Sequence, residues 1–486
     1  MTQQQLEKYL WGAATYLRGT IDAGDYKQYM FPLLFFKRIS DVWEEEFEDA
    51  MRESNGDLDY AGYAENHRFQ LPEGCHWNDI RQVTRNVGQE LQKAMRDIEK
   101  ANPEQLYGIF GDATWTNKDR LSDEMLINLI EHFSQHKLDL KHVPQDELGN
   151  AYEYLIKQFA DDSGHTAAEF YTNRTVVRLM TLISDPQPGE TVYDPTCGSG
   201  GLLLNAALQL KTAGKEYRTL KLYGQEINLI TSSIARMNMF LHGIEDFSVV
   251  RGNTLSSPGL LEDDELKTFN VILANPPYSI KQWDQKAWAN DPYGRNQWGT
   301  PPQGCADYAF QQHIHKSLDK KNGRSIVLWP YGILFRDSEA EMRKKMIESD
   351  VVECVIALGK NLFYNSSMES CLLICNNNKR KIAKKKVLFI DARLELRKEK
   401  NMAFLDDHHI NKIFSAYEKF ETVDGFTAVA SIADVMKNEG SLNIPLYIKA
   451  MNNGSMADFD VLTQDWEYSS NQLKKSINNL IVELRG

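Results

Sequence analysis

The stretch Asp194-Pro195-Thr196-Cys197-Gly198-Ser199-Gly200-Gly201 lies between the short run Thr191-Val192-Tyr193 and the helical run Leu202-Leu203-Leu204-Asn205-Ala206-Ala207. This order predicts a strand, a glycine loop and a helix. Glycines let the backbone approach a ligand closely, and a glycine turn at a helix N-terminus is where doubly wound folds receive cofactors. The loop matches neither the Walker phosphate loop nor the dinucleotide fingerprint G-x-G-x-x-G. We therefore expect a different cofactor in a doubly wound fold.

Two further strands place polar residues near this loop. The run Leu220–Gln225 ends at Glu226, and an acid at the tip of the second strand usually binds ribose hydroxyls. A plain surface carboxylate is the alternative. The run Phe247–Val250 leads to Gly252-Asn253-Thr254, whose side chains can either meet an adenine edge or form an ordinary turn.

The tetrapeptide Asn275-Pro276-Pro277-Tyr278 follows the apolar run Phe269–Ala274 and is the predicted reaction centre. The Asn275 amide oxygen and the Pro276 carbonyl can both accept hydrogen bonds from one planar amino group, and the prolines hold them rigid. Tyr278 offers a ring for stacking on a base, which is worth about 1–3 kcal/mol. By itself the tetrapeptide is an ordinary turn, but the glycine loop upstream favours methylation of an exocyclic or amide nitrogen.

Taken in order, the glycine loop, Glu226, Asn253 and the Asn-Pro-Pro-Tyr loop resemble the S-adenosylmethionine-dependent N6-adenine DNA methyltransferases. More narrowly, the chain resembles the modification subunits of type I restriction-modification systems. The narrower resemblance rests on four segments, which are residues 10–19, 29–40, 169–177 and 323–335.

The resemblance implies S-adenosyl-L-methionine as the methyl donor and no metal. It implies catalytic roles for Asn275, Pro276, Pro277 and Tyr278. The implied cofactor-binding residues are Glu169, Phe170, Tyr171, Thr172, Asn173, Arg174, Asp194, Gly198, Ser199, Gly200, Glu226, Asn253 and Thr254.

At two of these positions the sequence departs from the family. Asn173 stands where proline is usual, and Asn253 stands where aspartate is usual. We expect the loss of proline to loosen the turn at residue 173. Asn253 can still present an acceptor to an adenine amino group, without the charge that strengthens such a bond.

The pattern of apolar residues predicts an α/β chain in three parts. An N-terminal helical domain is expected over residues 1–150, because apolar residues recur at helical spacing around Leu33 and Leu126. Residues 151–412 are expected to form a seven-stranded, Rossmann-like methyltransferase domain. Residues 413–486 are the expected C-terminal helical tail and partner-binding region. The candidate strands begin near Thr191, Leu220, Phe247, Val271, Ser325, Val352 and Ser370.

The chain has 486 residues and a formal net charge of −13. Proteins that bind DNA unaided usually carry a basic surface, so we expect this chain to bind DNA poorly alone. The resemblance implies double-stranded DNA as substrate and a separate specificity subunit, with two modification subunits for each specificity subunit, and a restriction subunit in the full complex. We expect a cytoplasmic protein without a membrane span, and reduced structural thiols for its six cysteines.

Three segments allow two interpretations each. The basic stretch of residues 379–386 is either a solvated hairpin loop, between Cys371–Cys375 and Val387–Ile390, or a phosphate contact. Residues 290–304 are either a plain surface loop or a mobile loop that closes over DNA. The amphipathic run Tyr468–Leu484 either packs on its own domain or, as in the family, meets the specificity subunit.

The expected mechanism is direct methyl transfer to an adenine flipped out of the duplex. Asn275 and Pro276 would accept its two amino hydrogens, and Tyr278 would stack on the base. One alternative is a methyltransferase that modifies the N5 nitrogen of a protein glutamine, since a carboxamide poses the same geometry. The large N-terminal domain argues against it. A non-enzymatic scaffold is the other alternative, and the intact loops disfavour it.

Overall fold

The computed structural model describes residues 1–162, 172–362, 368–399 and 402–449, and the side chains of residues 161 and 162 are left aside. The helices of these residues are α1 Gln3–Ala13, α2 Lys27–Glu53, α3 Leu58–Ala61, α4 Trp77–Arg81, α5 Val87–Ala101, α6 Pro103–Leu106, α7 Asp123–Phe133, α8 Gln145–Asp162, α9 Arg174–Ser184, α10 Gly201–Thr212, α11 Leu229–Leu241, α12 Gln285–Ala289, α13 Asp307–Lys316, α14 Ala340–Glu348, α15 Asp407–Lys419 and α16 Ile432–Lys437. The strands are β1 Thr191–Asp194, β2 Lys221–Glu226, β3 Phe247–Arg251, β4 Leu261–Glu262, β5 Glu265–Leu266, β6 Val271–Ala274, β7 Arg324–Pro330, β8 Val352–Leu358, β9 Ser370–Asn376, β10 Lys386–Ala392, β11 Arg397–Glu399, β12 Met402–Phe404 and β13 Thr427–Ser431.

The N-terminal part is a helical domain, as predicted. Helix α7 begins after Ser122, whose hydroxyl accepts a hydrogen bond from the Met125 N–H at 3.2 Å and so caps the helix. Its apolar residues Leu126, Leu129 and Ile130 are all buried in one core with the apolar face of helix α2. None of the helices in the described residues has both the length and the apolar character that crossing a membrane requires.

The main sheet contains nine strands within the described residues, in the order β13-β10-β8-β9-β7-β6-β1-β2-β3. Strand β9 runs antiparallel to β7 and β8, and β13 runs antiparallel to β10, whereas the other pairs are parallel. The seven predicted strands are β1, β2, β3, β6, β7, β8 and β9, so the predicted fold class is confirmed. Strands β10 and β13 extend the sheet at the edge remote from β3.

Successive residues of the central strands enter two separate cores. Val192 of β1 and Val271 of β6 lie in the core on one face of the sheet, while Tyr193 and Ile272 lie in the core on the other face. Both faces are therefore covered, as a mostly parallel sheet requires. The chain order reverses between β1 and β6, so the loops after β1, β2 and β6 surround the crevice where doubly wound folds bind ligands.

Both expected domain boundaries fall inside helices. Helix α8 runs through residue 150, and its residues Leu148, Leu155 and Phe159 pack in the core of the helical domain. The helical domain therefore extends through α8. Helix α15 runs through residue 412, and strand β13 pairs with β10 beyond it. The sheet domain accordingly continues past residue 412, because its last strand completes the sheet edge.

The structure contradicts the predicted hairpin around residues 379–386. Strand β8 lies between β9 and β10, so the two flanking strands are not neighbours. Lys379 is 5% exposed, and its ammonium group donates to Asp350 and to two backbone carbonyls. Arg380 donates to the carbonyls of Tyr417 and Glu418. These two basic residues hold the fold together, while the lysines that follow them are exposed.

Residues 290–304 are anchored to the body of the domain. Arg295 is 2% exposed, forms an ion pair with Asp291 and donates to the carbonyls of Thr254 and Leu255, both at 2.8 Å. The backbone N–H of Trp298 donates to the side-chain oxygen of Gln312 at 2.7 Å. A segment held by buried side chains at several points does not fit the expectation of a mobile loop.

Candidate active site

The glycine loop after strand β1 has a backbone that only glycine adopts easily. Gly198 and Gly200 have φ angles of 54° and 79°, in the left-handed region. A Cβ atom on Gly200 would lie 2.8 Å from the terminal methyl group of Met239 in helix α11, so a larger residue would require that side chain to move. A Cβ atom on Gly201 would collide with the guanidinium of Arg174. The loop is therefore both tightly turned and closely covered.

Asp194 ends strand β1 beneath this loop and is 1% exposed. Its carboxylate accepts a hydrogen bond from the Thr196 N–H at 2.9 Å. Burial raises the pKa of Asp194 to about 8, because removing the carboxylate from water disfavours its charged form. Cys197, in the loop itself, is one of six buried cysteines, none of which is paired.

Glu226, at the end of strand β2, binds the backbone of the glycine loop. Its carboxylate accepts hydrogen bonds from the N–H of Gly198 at 3.1 Å and from the N–H of Asn228 at 2.9 Å. The carboxylate therefore lies beside the loop, at the end of the second strand, as the sequence predicts for a residue that binds hydroxyl groups.

The hydrogen bonds of Asn253 and Thr254 differ from those that the sequence predicts. The Asn253 side-chain oxygen accepts from the backbone N–H of Leu255 at 2.9 Å and of Ser256 at 3.3 Å, which engages both of its lone pairs. Asn253 is exposed and can offer a ligand its amide N–H groups rather than an acceptor. Thr254 is 4% exposed, and its hydroxyl donates to the Pro195 carbonyl at 2.5 Å, so it braces the glycine loop from below.

Thr172, which precedes helix α9, and Arg174, which begins it, line the crevice. Glu169, Phe170 and Tyr171 lie outside the described residues, as does Tyr468–Leu484. Asn173 caps α9: its side-chain oxygen accepts from the Thr175 N–H at 3.0 Å, and its amide nitrogen donates to the Ala403 carbonyl at 3.0 Å. These two hydrogen bonds hold residue 173 at the start of the helix, and the expected loosening of the turn stays a prediction.

Arg174 joins this segment to the glycine loop and to the helical domain. Its guanidinium lies against Gly201 and forms an ion pair with Glu153 of helix α8. Asn238 of helix α11 donates both to Glu153 at 2.7 Å and to the Ser199 carbonyl at 3.1 Å. The position of the glycine loop thus depends on contacts with both neighbouring helices.

The Asn-Pro-Pro-Tyr loop leaves the end of strand β6 beside the glycine loop. The Asn275 amide nitrogen donates to the Thr172 hydroxyl at 3.1 Å, and its side-chain oxygen accepts from the Tyr278 hydroxyl at 2.6 Å. The Tyr278 ring is half-buried and packs against the cores on both faces of the sheet. In this arrangement the two cores cover part of the ring.

One pocket brings together six of the fourteen predicted site residues that the structure describes. Its lining includes Thr172, Arg174, Asp194, Gly198, Ser199 and Asn275. Glu226 and Thr254 lie behind the glycine loop and hold it through Gly198 and Pro195. The candidate cofactor loop and the candidate catalytic loop thus share one pocket.

Three contacts of the site were missed in the sequence analysis. Thr172 and Asn275 are 103 residues apart, and the hydrogen bond between them depends on the tertiary fold. Asp307 accepts a hydrogen bond from Ser279, directly after the catalytic loop. Only Arg295 had a local hint, because Asp291 stands four residues before it at the spacing of a helical ion pair.

Comparison with known proteins identifies the family. The profile described as N-6 DNA Methylase matches residues 143–455, and the profile described as HsdM N-terminal domain matches residues 6–133. The MjaVIII type I restriction enzyme methylase subunit of Methanocaldococcus jannaschii is 31% identical, over 89% of this chain and 76% of that protein. The HindI methylase subunit of Haemophilus influenzae is 30% identical, over 78% of this chain and 89% of that protein.

A solved structure agrees with these relatives. The crystal structure of a type I restriction-modification methyltransferase subunit from Streptococcus thermophilus is 31% identical, with a TM-score of 0.80. The match covers 92% of this chain and all of the other. The chain therefore belongs to the adenine-N6-specific DNA methyltransferases, and within them to the methylase subunits of type I restriction-modification systems.

Proposed function

We propose that this chain transfers a methyl group from S-adenosyl-L-methionine to N6 of a flipped-out adenine, at DNA sites chosen by a separate specificity subunit. The observation that carries the proposal is the shared pocket, in which Asn275 of the catalytic loop lies with Asp194 and Gly198 of the glycine loop. In this arrangement a methyl donor bound by the glycine loop would lie next to a hydrogen-bond acceptor for the nitrogen to be methylated.

The residues around the glycine loop have the chemistry that S-adenosyl-L-methionine requires. The sulfonium of this cofactor supplies a strongly electrophilic methyl group. Arg174 provides a cation against Gly201 for a carboxylate, and Glu226 provides acceptors beside Gly198 for hydroxyl groups. Gly198 and Gly200 carry no side chains, so the loop backbone can approach a ligand closely. Asn253 would donate to an adenine ring nitrogen, because its oxygen is already engaged.

The orientation of Asn275 supports its role as the acceptor. Thr172 accepts from the amide nitrogen, which turns the side-chain oxygen toward the Tyr278 hydroxyl. We infer that the amino group of the target adenine donates to this same oxygen, and that the Pro276 carbonyl accepts the second amino hydrogen. These two acceptors would draw the nitrogen lone pair toward the methyl group.

Tyr278 would move when the target base enters. Its hydroxyl donates to the oxygen that the amino group needs, and its ring packs inward, 6.4 Å from the Trp329 ring centroid. Release of that hydrogen bond would free the ring to stack on the flipped base. Entry of the base would therefore exchange one donor to Asn275 for another.

Target selection is proposed to lie in another subunit. The chain carries a net charge of −13, and a strongly acidic protein lacks the excess of cations that phosphate binding requires. Its relatives are named as methylase subunits of type I restriction enzymes. We propose that two copies of this chain assemble with one specificity subunit on double-stranded DNA, and that a restriction subunit joins the full complex.

The test is to express this chain with the specificity subunit encoded beside it, in cells that lack other adenine methylation. Long-read sequencing then maps N6-methyladenine. We expect a split recognition sequence, methylated only when both subunits are present. Strains with either subunit alone are the matched controls. Soluble subunits that together leave the DNA unmethylated would contradict the proposal.

A further inference from the structure

The catalytic loop ends in a strained residue that is tied to a buried carboxylate. Ser279 directly follows Tyr278 and has a φ angle of 51°. This is a left-handed backbone conformation that residues other than glycine rarely adopt. Its backbone N–H donates to the Asp307 carboxylate at 2.7 Å. Asp307 is the first residue of helix α13 and is completely buried. The loop therefore leaves the site under a constraint that comes from a different element.

The same carboxylate is paired on its other side. Its second oxygen accepts a hydrogen bond from the Arg336 guanidinium, which also lies 3.0 Å from the Glu339 carboxylate and 2.8 Å from the Cys305 sulfur. The side chains of both acids are fully buried, and that of Arg336 is 27% exposed. A buried carboxylate needs such a partner to remain charged. Arg336 thus supplies a charged partner to one oxygen of Asp307, while the other oxygen accepts from Ser279.

The cluster connects three segments around the site. Ser279 follows the loop after strand β6, Asp307 begins helix α13, and Arg336 follows the turn after strand β7. The residues that line the cofactor pocket lie mainly in other segments, before α9 and after β1. Disturbing Asp307 should consequently move the catalytic loop and leave the cofactor pocket in place.

We propose that Asp307 and Arg336 are positioning residues for methyl transfer, a role that rests on the proposed function of the Asn275–Tyr278 loop. Arg336 orients Asp307, and Asp307 holds the Ser279 N–H. This contact keeps Ser279 in its left-handed conformation and fixes the direction in which the loop leaves strand β6. The Asn275 oxygen and the Pro276 carbonyl then stay aimed at one amino group.

The test compares Asp307→Ala and Asp307→Asn in the full chain with a matched control, Asp41→Ala. Asp41 is also buried, pairs with Lys37 and accepts a backbone N–H, that of Leu138, at 2.6 Å. It lies in the helical domain, away from the site. Asp307→Asn keeps an oxygen that can accept the hydrogen bond from Ser279 but removes the negative charge. It therefore distinguishes the contribution of the hydrogen bond from that of the charge.

The first readout does not depend on activity. Hydrogen exchange of the peptide containing Ser279 is measured by mass spectrometry in the chain without DNA. We expect about a tenfold faster exchange in Asp307→Ala than in the wild type, partial recovery in Asp307→Asn and no change in Asp41→Ala, since loss of the acceptor opens this segment locally. Equal exchange in the Asp307 and Asp41 variants would overturn the proposal. Arg336→Lys provides a second test if Asp307→Ala fails to fold.

The second readout is the single-turnover rate in the complex with the specificity subunit, at saturating S-adenosyl-L-methionine. We expect Asp307→Ala to lower the rate by about 100-fold, as small misplacements of reacting groups do, with the cofactor Kd from calorimetry within about threefold of wild type. An unchanged rate, or a Kd that rises as far as the rate falls, would refute the role. Absence of methylation by the wild type would instead refute the proposed function.

Discussion

The side-chain amide of Asn275 has a donor end and an acceptor end, and the fold gives each a partner. Thr172 accepts from the nitrogen at 3.1 Å, while the oxygen faces the Tyr278 hydroxyl at 2.6 Å. An isolated asparagine could present either end to a base. Here the oxygen lies on the side of Tyr278, and an oxygen acceptor is what the proposed methylation of an amino group requires.

The Tyr278 hydroxyl provides a test at the residue scale. We expect Tyr278→Phe to retain methyl transfer, because its ring can still stack on the base and the Asn275 oxygen is released. Tyr278→Ala should weaken target binding by about 10-fold or more, since stacking is worth about 1–3 kcal/mol. Single-turnover rates measured over a series of DNA concentrations separate binding from transfer.

Asn275→Ala is the reference variant for this series. It should abolish transfer and leave the cofactor Kd close to that of the wild type, because the cofactor has other partners in the pocket. Two results would contradict the proposal that the adenine amino group replaces the Tyr278 hydroxyl as donor to Asn275. One is methyl transfer by Asn275→Ala at the wild-type rate, and the other is a Tyr278→Phe variant as inactive as Asn275→Ala.

At the scale of elements, the turn from strand β1 to helix α10 combines strained glycines with a buried acid. Asp194 supports the loop through the Thr196 N–H, at 2.9 Å. Its burial raises its pKa to about 8, compared with about 3.9 in an unfolded chain. The folded protein therefore holds a proton on Asp194 that the unfolded protein loses above about pH 4.

Asp194→Asn should flatten the pH dependence of stability. Between about pH 4 and pH 8 the folded state binds more protons at this site, so the wild type loses stability as the pH rises. From pH 5 to pH 8 we expect the wild type to lose at least about 1.4 kcal/mol more than Asp194→Asn, the equivalent of one pKa unit. Urea unfolding at several pH values measures this difference.

Exposed Asp424→Asn is the control for this comparison. Its pH profile should run parallel to that of the wild type. Parallel profiles for Asp194→Asn and the wild type would show that Asp194 is ionised in the folded protein.

At the scale of the whole molecule, the pocket shared by the glycine loop and the Asn-Pro-Pro-Tyr loop belongs to a chain with a net negative charge. Two of the basic residues in the stretch 379–386 do not offset this charge at the surface, because Lys379 and Arg380 bind backbone carbonyls and carboxylates within the fold. We therefore expect DNA binding to come mainly from cations that another subunit supplies.

DNA binding by the chain alone should be weak. At physiological salt we expect a Kd above about 10⁻⁵ M for a duplex that contains the recognition sequence, in the range of non-specific binding. The complex with the specificity subunit should bind below about 10⁻⁷ M and lose affinity steeply with added salt. Fluorescence anisotropy over a salt series measures both. Tight binding by the chain alone would contradict assignment of target selection to the partner.

Local patterns were sufficient to predict the fold class. All seven expected strands are present, and Val192 and Tyr193 face opposite cores as their alternation requires. Of the two extra strands, β10 contains the run Val387–Ile390 that was expected to form a hairpin with Cys371–Cys375, but it pairs with β8 and β13 instead. Strand β13 was missed, because it joins the sheet only through its pairing with β10, which is distant in sequence. The position of β8 between β9 and β10 likewise has no local signal.

The sequence by itself was enough to predict the residues that we propose carry the chemistry. The glycine loop and the Asn-Pro-Pro-Tyr loop each follow from a few consecutive residues, because backbone freedom, ring rigidity and side-chain acceptors are local properties. Only the tertiary structure decided how these residues are held. The Thr172 contact to Asn275, the burial of Asp194 and the tie from Asp307 to Ser279 join distant segments. Hydrogen-bond partners and burial depend on which segments the fold brings together, and short-range sequence patterns do not encode that.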